Sequence, residues 1–462
     1  MILFYPLLVA AIGLVAVVAR VTRWPRRWAR RRPRIIRAPR PMVGLSYIRD
    51  ADRLRGYSSD LVVTELDRWD YPYVFEEEVD RVVDLSGHRP LLTRVRFLLE
   101  LMFGYDILVT YYNCSFFKTE LLRSVELPLL KLSGIKLIVA SYGSDVTLFD
   151  SPPTRFDWVG RRLLDYPPKG SQAEHDGRIS QGIRRFTRWA DFRIAGDYVL
   201  TPFVGVYDLV FKYFPIDCRT WQPVQRTATG PPRIIHAPNH RHIKGTATLE
   251  QTCRELAEEG VPLEYRIVEG VPRNQVQDLY CQADLLVEDL CSGASGLNGL
   301  EFLALGKPVL VYVNSQQLAD PAFDLPLVNT NIDNVADVLR AVLGVAALRD
   351  RLGAAGRHAV EQFQSFSAIS EVWQRIYEHL WQGSPLDLES TRHFGPNRQP
   401  HSRSENPRHA EFWPVPVDDL LKDIRLAIDG THSEPHLNSA QPHSNGLENL
   451  MTESAVPPEQ GS

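Results

Sequence analysis

Twice along this 462-residue chain, short apolar runs rich in β-formers alternate with longer amphipathic stretches. That alternation constrains the fold more than any other feature. A strand followed by a helix brings the chain back to lay the next strand parallel to the first. In the first series the strand candidates are residues 42–48, 61–66, 106–111, 136–141 and 192–196, with helical patterns at 91–102 and 118–131. In the second they are 233–237, 263–268, 284–288, 308–313 and 325–328, separated by helical patterns at 246–259, 274–282, 297–305 and 335–343. The expectation is two doubly wound α/β domains with largely parallel sheets, residues 42–218 and 219–362. The polar, proline-bearing "RTWQPVQRTATGPP" marks their boundary.

The first 41 residues read differently. Ile2 to Ala19 carries no charge and reaches the lower length limit of a membrane-spanning helix. Ten arginines and no acid follow between Arg20 and Arg40. A secretory signal carries its charge before the apolar run, and here the charge comes after it. Residues 1–22 are therefore expected to be a single-pass transmembrane anchor and 23–41 a basic cytoplasmic linker. The positive-inside rule then puts the body on the cytoplasmic face of the cell membrane; a helix lying in the membrane plane leaves it on that same face. At the other end, 363–383 repeats a helical apolar pattern, and 384–462 is rich in Pro, Ser, His and Asn and reads as largely disordered. Within it, 417–429 carries an apolar helical stripe, which fits a docking helix for a protein partner and equally a segment folded back onto its own body.

The net charge of -4 conceals that arginine block, so the remainder is distinctly acidic and argues against a nucleic-acid partner. Five scattered cysteines lack metal-ligand spacing and fit a reducing compartment. His236, His240 and His242 share no spacing with a carboxylate, so no metal site is expected.

Two loops carry chemistry. In "CSGASGLNGLEFLALGKPVLVYV" (291–313) the carboxylate of Glu301 stands in an otherwise apolar run, where an unpaired charge is costly. A strand leads into a turn with Gly293 and Gly296, and a helix opens near Leu297. Glycines allow close approach to the backbone, and free N–H groups at a helix start favour an anion. Glu301, just over one turn in, is placed to accept hydrogen bonds from hydroxyls beside that anion. A phosphate next to a sugar diol describes a nucleotide; a glycine-rich packing turn is the plainer alternative. In "RIIHAPNHRHIKGTATLEQ" a strand is followed by Asn239, Arg241 and then Lys244-Gly245 at another helix start. Both loops follow strands of one domain. They therefore share the edge where open α/β sheets bind ligands.

These two stretches resemble the C-terminal domain of GT-B glycosyltransferases, in particular the retaining group called family 4. The match is carried by the Lys-Gly after the first strand, the glycine-rich turn, the Glu and "LEFLALGKPV". It covers 233–313 well and 41–150 more weakly, where "SYGSDVTLF" is similar to a loop of the family's first domain. The resemblance implies two Rossmann-like domains facing across a cleft, with 363–383 crossing back to the first. It implies Lys244 on the donor diphosphate, Glu301 on the ribose, the backbone near Gly296 and Leu297 on a phosphate, and Asp145 in the catalytic cleft, with Tyr142 beside it. Two positions depart from the pattern: Gly293 stands where a Glu is common, and Asn239 where a basic residue is. Arg241 is expected to supply that charge instead.

The expected function is transfer of a sugar from a UDP- or GDP-sugar donor to a lipid-linked or polysaccharide acceptor at the membrane. The reaction would proceed with retention, with no cofactor and no metal. A nucleotide-sugar epimerase and a non-catalytic scaffold subunit are the alternatives.

Overall fold

The computed structural model describes residues 4–29, 31–40, 42–64, 79–84, 90–117, 120–150, 171–224, 230–293, 295–313 and 325–386. The tail, including 417–429, lies outside the described residues. The chain divides into two compact units. The first comprises 4–150, 171–215 and 366–386 of the described residues, and the second 216–365.

Seven parallel strands form the sheet of the first unit: β1 Arg34–Arg37, β2 Ser58–Val63, β3 Arg81–Val82, β4 Ile107–Tyr111, β5 Lys136–Ala140, β6 Phe192–Ala195 and β7 Leu209–Val210. Their order is β3-β2-β1-β4-β5-β6-β7, so the winding reverses at β1. Its helices are α1 Phe4–Trp28, α2 Val43–Leu54, α3 Pro90–Gly104, α4 Glu120–Leu132 and α5 Gln172–Trp189. Here α5 opens on a capping box, with Ser171 accepting from the Glu174 N–H and Glu174 reaching back. In the second unit five parallel strands run in the order β12-β11-β10-β8-β9. They are β8 Arg233–His236, β9 Glu264–Ile267, β10 Leu285–Asp289, β11 Val309–Val311 and β12 Val328–Asn329. Its helices are α6 Thr246–Glu258, α7 Arg273–Cys281, α8 Leu297–Ala304, α9 Val335–Gly344 and α10 Ala346–Ala359. Both sheets are doubly wound, as the alternation requires.

The last helix, α11 Phe366–Gln382, belongs to the first unit although it follows the second in sequence. Ile369, Val372, Trp373, Ile376 and Tyr377 recur at helical spacing and are buried against residues of β1, β2, β4, β5 and β6.

Two expectations about the N-terminal stretch are corrected. Residues 42–48 are not a strand but open α2, with Leu45, Ile48 and Ala51 buried along one helical face. Residues 23–41 are not a linker: they hold the end of α1 and the interior strand β1, where the winding reverses. Arg37 on β1 is fully buried. Its Nη2 donates to Asp52 at 2.5 Å and to the Tyr377 hydroxyl, and its guanidinium lies 4.9 Å over the Trp373 ring. Asp52 in turn accepts from Ser59 at 2.8 Å and from Tyr377 at 3.1 Å. One buried ion pair thereby joins β1, α2, β2 and α11.

α1 is also part of this body. Ile12, Ala16, Ala19 and Arg23, spaced for one helical face, are buried and packed in the core that holds α3 and α4.

Removing one partner of a buried ion pair strands the other, at a cost of about 3–5 kcal/mol. Arg37→Met is therefore expected to destabilise the first unit by that order. Arg37→Met with Asp52→Leu should cost clearly less than the sum of the two single changes. Urea unfolding of the four proteins measures the coupling; strict additivity would remove this pair from the account.

Candidate functional site

In an open parallel sheet the ligand crevice lies where the winding reverses. In the second unit β8 is flanked by β9 on one side and β10 on the other, so that point falls between β8 and β10. The loops singled out in the sequence follow these two strands, and the structure brings them together.

The end of β10 organises the site. Its register against β11 shifts between Val287 and Asp289, so two residues of β10 stand opposite one of β11. A bulge of this kind re-aims the side chains around it. Glu288 and Asp289 are both fully buried, and they serve different loops.

Asp289 accepts from the Lys244 ammonium at 2.7 Å. The same oxygen accepts the Ser292 hydroxyl, and the other accepts the N–H groups of Cys291 and Ser292, each at 2.8 Å. Burial alone would lower the pKa of Lys244, but Asp289 and then Glu288 hold it above its ordinary value. The lysine is a cation across the physiological range. Backbone bonds close the same contact: Leu290 N–H donates to the Lys244 carbonyl at 3.2 Å. Gly245 starts α6 with a left-handed φ of 71°, and a Cβ there would lie 3.0 Å from that of Leu290.

Glu288 faces α8. One oxygen accepts the N–H of Gly296 at 2.6 Å and of Gly299 at 3.3 Å, and the other accepts the Ser295 hydroxyl at 2.7 Å. The helix start does attract an anion, and in this structure the anion is the chain's own carboxylate. The glycines follow from it. A Cβ on Gly299 would sit 2.3 Å from Glu288 Oε2, and one on Gly296 2.9 Å from Oε1. Part of the glycine signal read in the sequence as ligand access is thus room for Glu288.

His236 braces the crevice. Its Nδ1 lies 2.7 Å from the Val287 carbonyl, which can only accept, so Nδ1 carries the proton and Nε2 accepts from Thr246 Oγ1 at 2.8 Å. Burial lowers its pKa, consistent with this neutral form. It ties β8, β10 and α6 together.

The remaining expected residues are placed as follows. Glu301 is 1% exposed, one turn beyond Gly296 on α8. Gly293, at φ 78°, occupies a backbone conformation that favours glycine. Leu297 opens α8, and Asn298 beside it donates to the Ala237 carbonyl at 3.4 Å, across the crevice. Asn239 is exposed in the loop after β8. Arg241 is exposed too, and its guanidinium is engaged by Glu269 at 2.6 Å and Glu250 at 3.2 Å, not by the Lys244 cluster. Sequence reasoning missed Glu288 and Asp289.

Asp145 belongs to the first unit, in the loop after β5. Fully buried, it accepts the N–H groups of Tyr142 at 2.9 Å, Gly143 at 3.0 Å and Tyr112 at 3.3 Å. It therefore fixes the loops after β4 and β5 to each other. Tyr142 contacts Tyr111 edge-on at 4.8 Å and accepts from Asn113 at 2.9 Å.

No family model matches the sequence, and no curated protein matches it. Solved structures do. A sucrose-phosphate synthase from Thermosynechococcus elongatus is similar over 77% of this chain and all of its own, with a TM-score of 0.53 at 16% identity. An α-glucosyltransferase, solved with UDP and a mismatched 13-mer DNA, is similar over 75% of this chain and 99% of its own, with a TM-score of 0.50 at 14% identity. The chain has the GT-B fold. Its two doubly wound parallel-sheet units, with α11 returning to the first, are the architecture shared with these glycosyltransferases.

Two predictions follow from this geometry. Gly299→Ala is expected to destabilise the second unit, because its methyl group meets Glu288. Glu288→Ala leaves two N–H groups and a hydroxyl without their acceptor and should cost about 1–3 kcal/mol. In the Glu288→Ala background, Gly299→Ala should cost markedly less, and equal costs in both backgrounds would refute the contact. The second concerns Asp145. Burial raises its pKa to about 7, against the opposing N–H groups. The folded state thus binds its proton more tightly than the unfolded chain. Its contribution is complete below about pH 4 and is lost as pH rises through about 7, by up to about 4 kcal/mol. The melting temperature of Asp145→Asn relative to the parent should therefore climb as pH rises across that window. Parallel curves would contradict it.

Proposed function

We propose that this protein is a glycosyltransferase that moves a sugar from a nucleoside-diphosphate donor, a UDP- or GDP-sugar, onto a lipid-linked or glycan acceptor at a membrane, with retention of configuration. One observation carries the reading. The Lys244 cation and helix α8, which bears Glu301, are both held by the end of β10, where the second sheet reverses its winding and where such sheets bind ligands. The fold is that of glycosyltransferases, and UDP is the nucleotide named for one of the similar structures.

The chemistry follows from these groups. As the sugar–phosphate bond breaks, negative charge grows on the departing diphosphate. A lysine fixed in advance by Asp289 stabilises that charge without reorganising, and this is electrostatic preorganisation. The Gly296 N–H is committed to Glu288, so the positive charge for the diphosphate comes chiefly from Lys244. Glu301 accepts the ribose hydroxyls. The acceptor binds on the first unit, where Asp145 holds the loops after β4 and β5. Contact with the membrane is made through α1.

Thermal shift with UDP, GDP and ADP, and with their sugars, tests the donor site. One diphosphate should raise the melting temperature of the parent, and neither Lys244→Met nor Glu301→Ala should retain that shift. A folded protein that responds to none of them would overturn the proposal.

A further inference from the structure

α1 has two opposite apolar faces, and among the described residues one is covered and the other exposed. On the inner face Ile12, Ala16 and Ala19 are at most 4% exposed. On the outer face Leu7, Leu14, Val18, Val21, Trp24 and Trp28 form a second stripe, and Leu14, Trp24 and Trp28 are 70–79% exposed. The 25 residues of the helix extend about 37 Å at 1.5 Å per residue. So long an apolar stripe left in water would be a large exposed patch, which on a folded protein marks an interaction surface.

The inner face is fastened as well as packed. The Arg23 guanidinium is 3% exposed, and its Nε pairs with Asp106 at 3.2 Å. It donates to the carbonyls of Met102 and Tyr105, at the C-terminal end of α3, and of Ser133, just past α4. These are carbonyls that a helix C-terminus leaves without intrahelical partners, where a cation is favourable. Arg26 also reaches Asp106, at 3.4 Å, and Arg27 donates to the Trp381 carbonyl at 2.8 Å. A helix crossing a bilayer would have to give up the Ile12, Ala16 and Ala19 contacts and lift away from α3 and α4.

We infer that α1 does not span the membrane but lies along it, its inner face locked to the first unit and its outer stripe sunk into the interface of a bilayer containing anionic lipid. This deepens the membrane part of the proposed function and rests on it. Charge selects the occupant. α1 contains no Asp or Glu, while Arg20 and Arg27 are exposed beside the stripe. The α1 of a second copy would offer these arginines no acid, whereas anionic headgroups neutralise them. Trp24 and Trp28 close the stripe at its arginine end, and aromatic rings favour the headgroup boundary. An apolar face with cations along one border fits an in-plane helix, which buries that face to a depth of about 5–10 Å.

The test uses the full chain and vesicles of phosphatidylglycerol and phosphatidylcholine in equal parts. A fluorophore is attached in turn at Leu7→Cys, Leu14→Cys and Val21→Cys, with Cys218 and Cys281 replaced by Ser. Its depth is read by lipids brominated at different acyl positions. Equal, shallow depths at all three sites are expected. Val18→Glu should weaken vesicle binding about tenfold without lowering the melting temperature, since Val18 faces outward. Leu14 deep at the bilayer centre, with Leu7 and Val21 shallow, would overturn the in-plane arrangement and leave the membrane reading standing. Absence of vesicle binding, with copies cross-linked through the stripe, would overturn both. Nucleotide binding by the second unit is unaffected in every case, so failure here stays distinguishable from failure of the donor site.

Discussion

Two neighbouring carboxylates at the end of one strand hold the candidate site together. Adjacent strand residues normally point to opposite faces, and at Glu288 a bulge re-aims that alternation at the edge of the sheet. Asp289 takes the Lys244 loop and the first turn after β10. Glu288 takes the glycine loop and the start of α8. Neither loop contains enough apolar surface to position itself, and both are defined by what those carboxylates accept. Full burial gives the arrangement its rigidity. A buried carboxylate that loses its donors is costly, so the loops are held by the cost of every alternative. The same packing explains why small residues crowd this corner: a Cβ would meet the side chains of Leu290 and Cys291 at Gly245, and the Glu288 carboxylate at Gly296 and Gly299.

Lys244 is therefore a structural group, and under the proposed function it is a chemical one as well. Its pair with Asp289 leaves its side chain 17% exposed, enough to meet a ligand from the crevice while its charge stays fixed. A free surface lysine would lose rotamer entropy on binding an anion, and this one has already lost it. What remains is partial neutralisation by Asp289, which an incoming diphosphate, carrying more charge than one carboxylate, can outweigh.

The alternation of runs made both sheets legible, and most second-unit elements lie where the pattern put them. The first unit was harder to read at its start. Arg34–Arg37 alternates charge with Ile35 and Ile36 and sits inside an arginine block, so it resembles a linker. It is an interior strand because Arg37 finds Asp52 and, some 340 residues later, Tyr377. No local pattern contains such a partner. Residues 42–48 failed for another reason: a seven-residue apolar run fits a strand or a buried helix equally, and the helical spacing of Leu45, Ile48 and Ala51 becomes decisive only over a longer stretch. At the site, Lys244, Glu301 and the glycines were legible, while the identity of the anion at the helix start was not. The signal for it was present. "LLVEDL" places two acids in a run headed for the core, the same burial cost that singled out Glu301.

The N-terminal helix shows how composition alone leaves topology open. Length, lack of charge and the arginines after it all fit a membrane span, and the same features fit a helix with two apolar faces, one for protein and one for lipid. Periodicity does not separate them, because a helix apolar on every side carries no phase. What separates them is Arg23. In the sequence it is one arginine among ten; in the structure it is the buried cation on which the ends of α3 and α4 converge. An arginine buried among carbonyls has exchanged its hydration for fixed dipoles and Asp106, and withdrawing it would leave those acceptors and that acid unsatisfied together. The free energy that fastens α1 to the body is thus the same free energy that opposes its insertion across a bilayer.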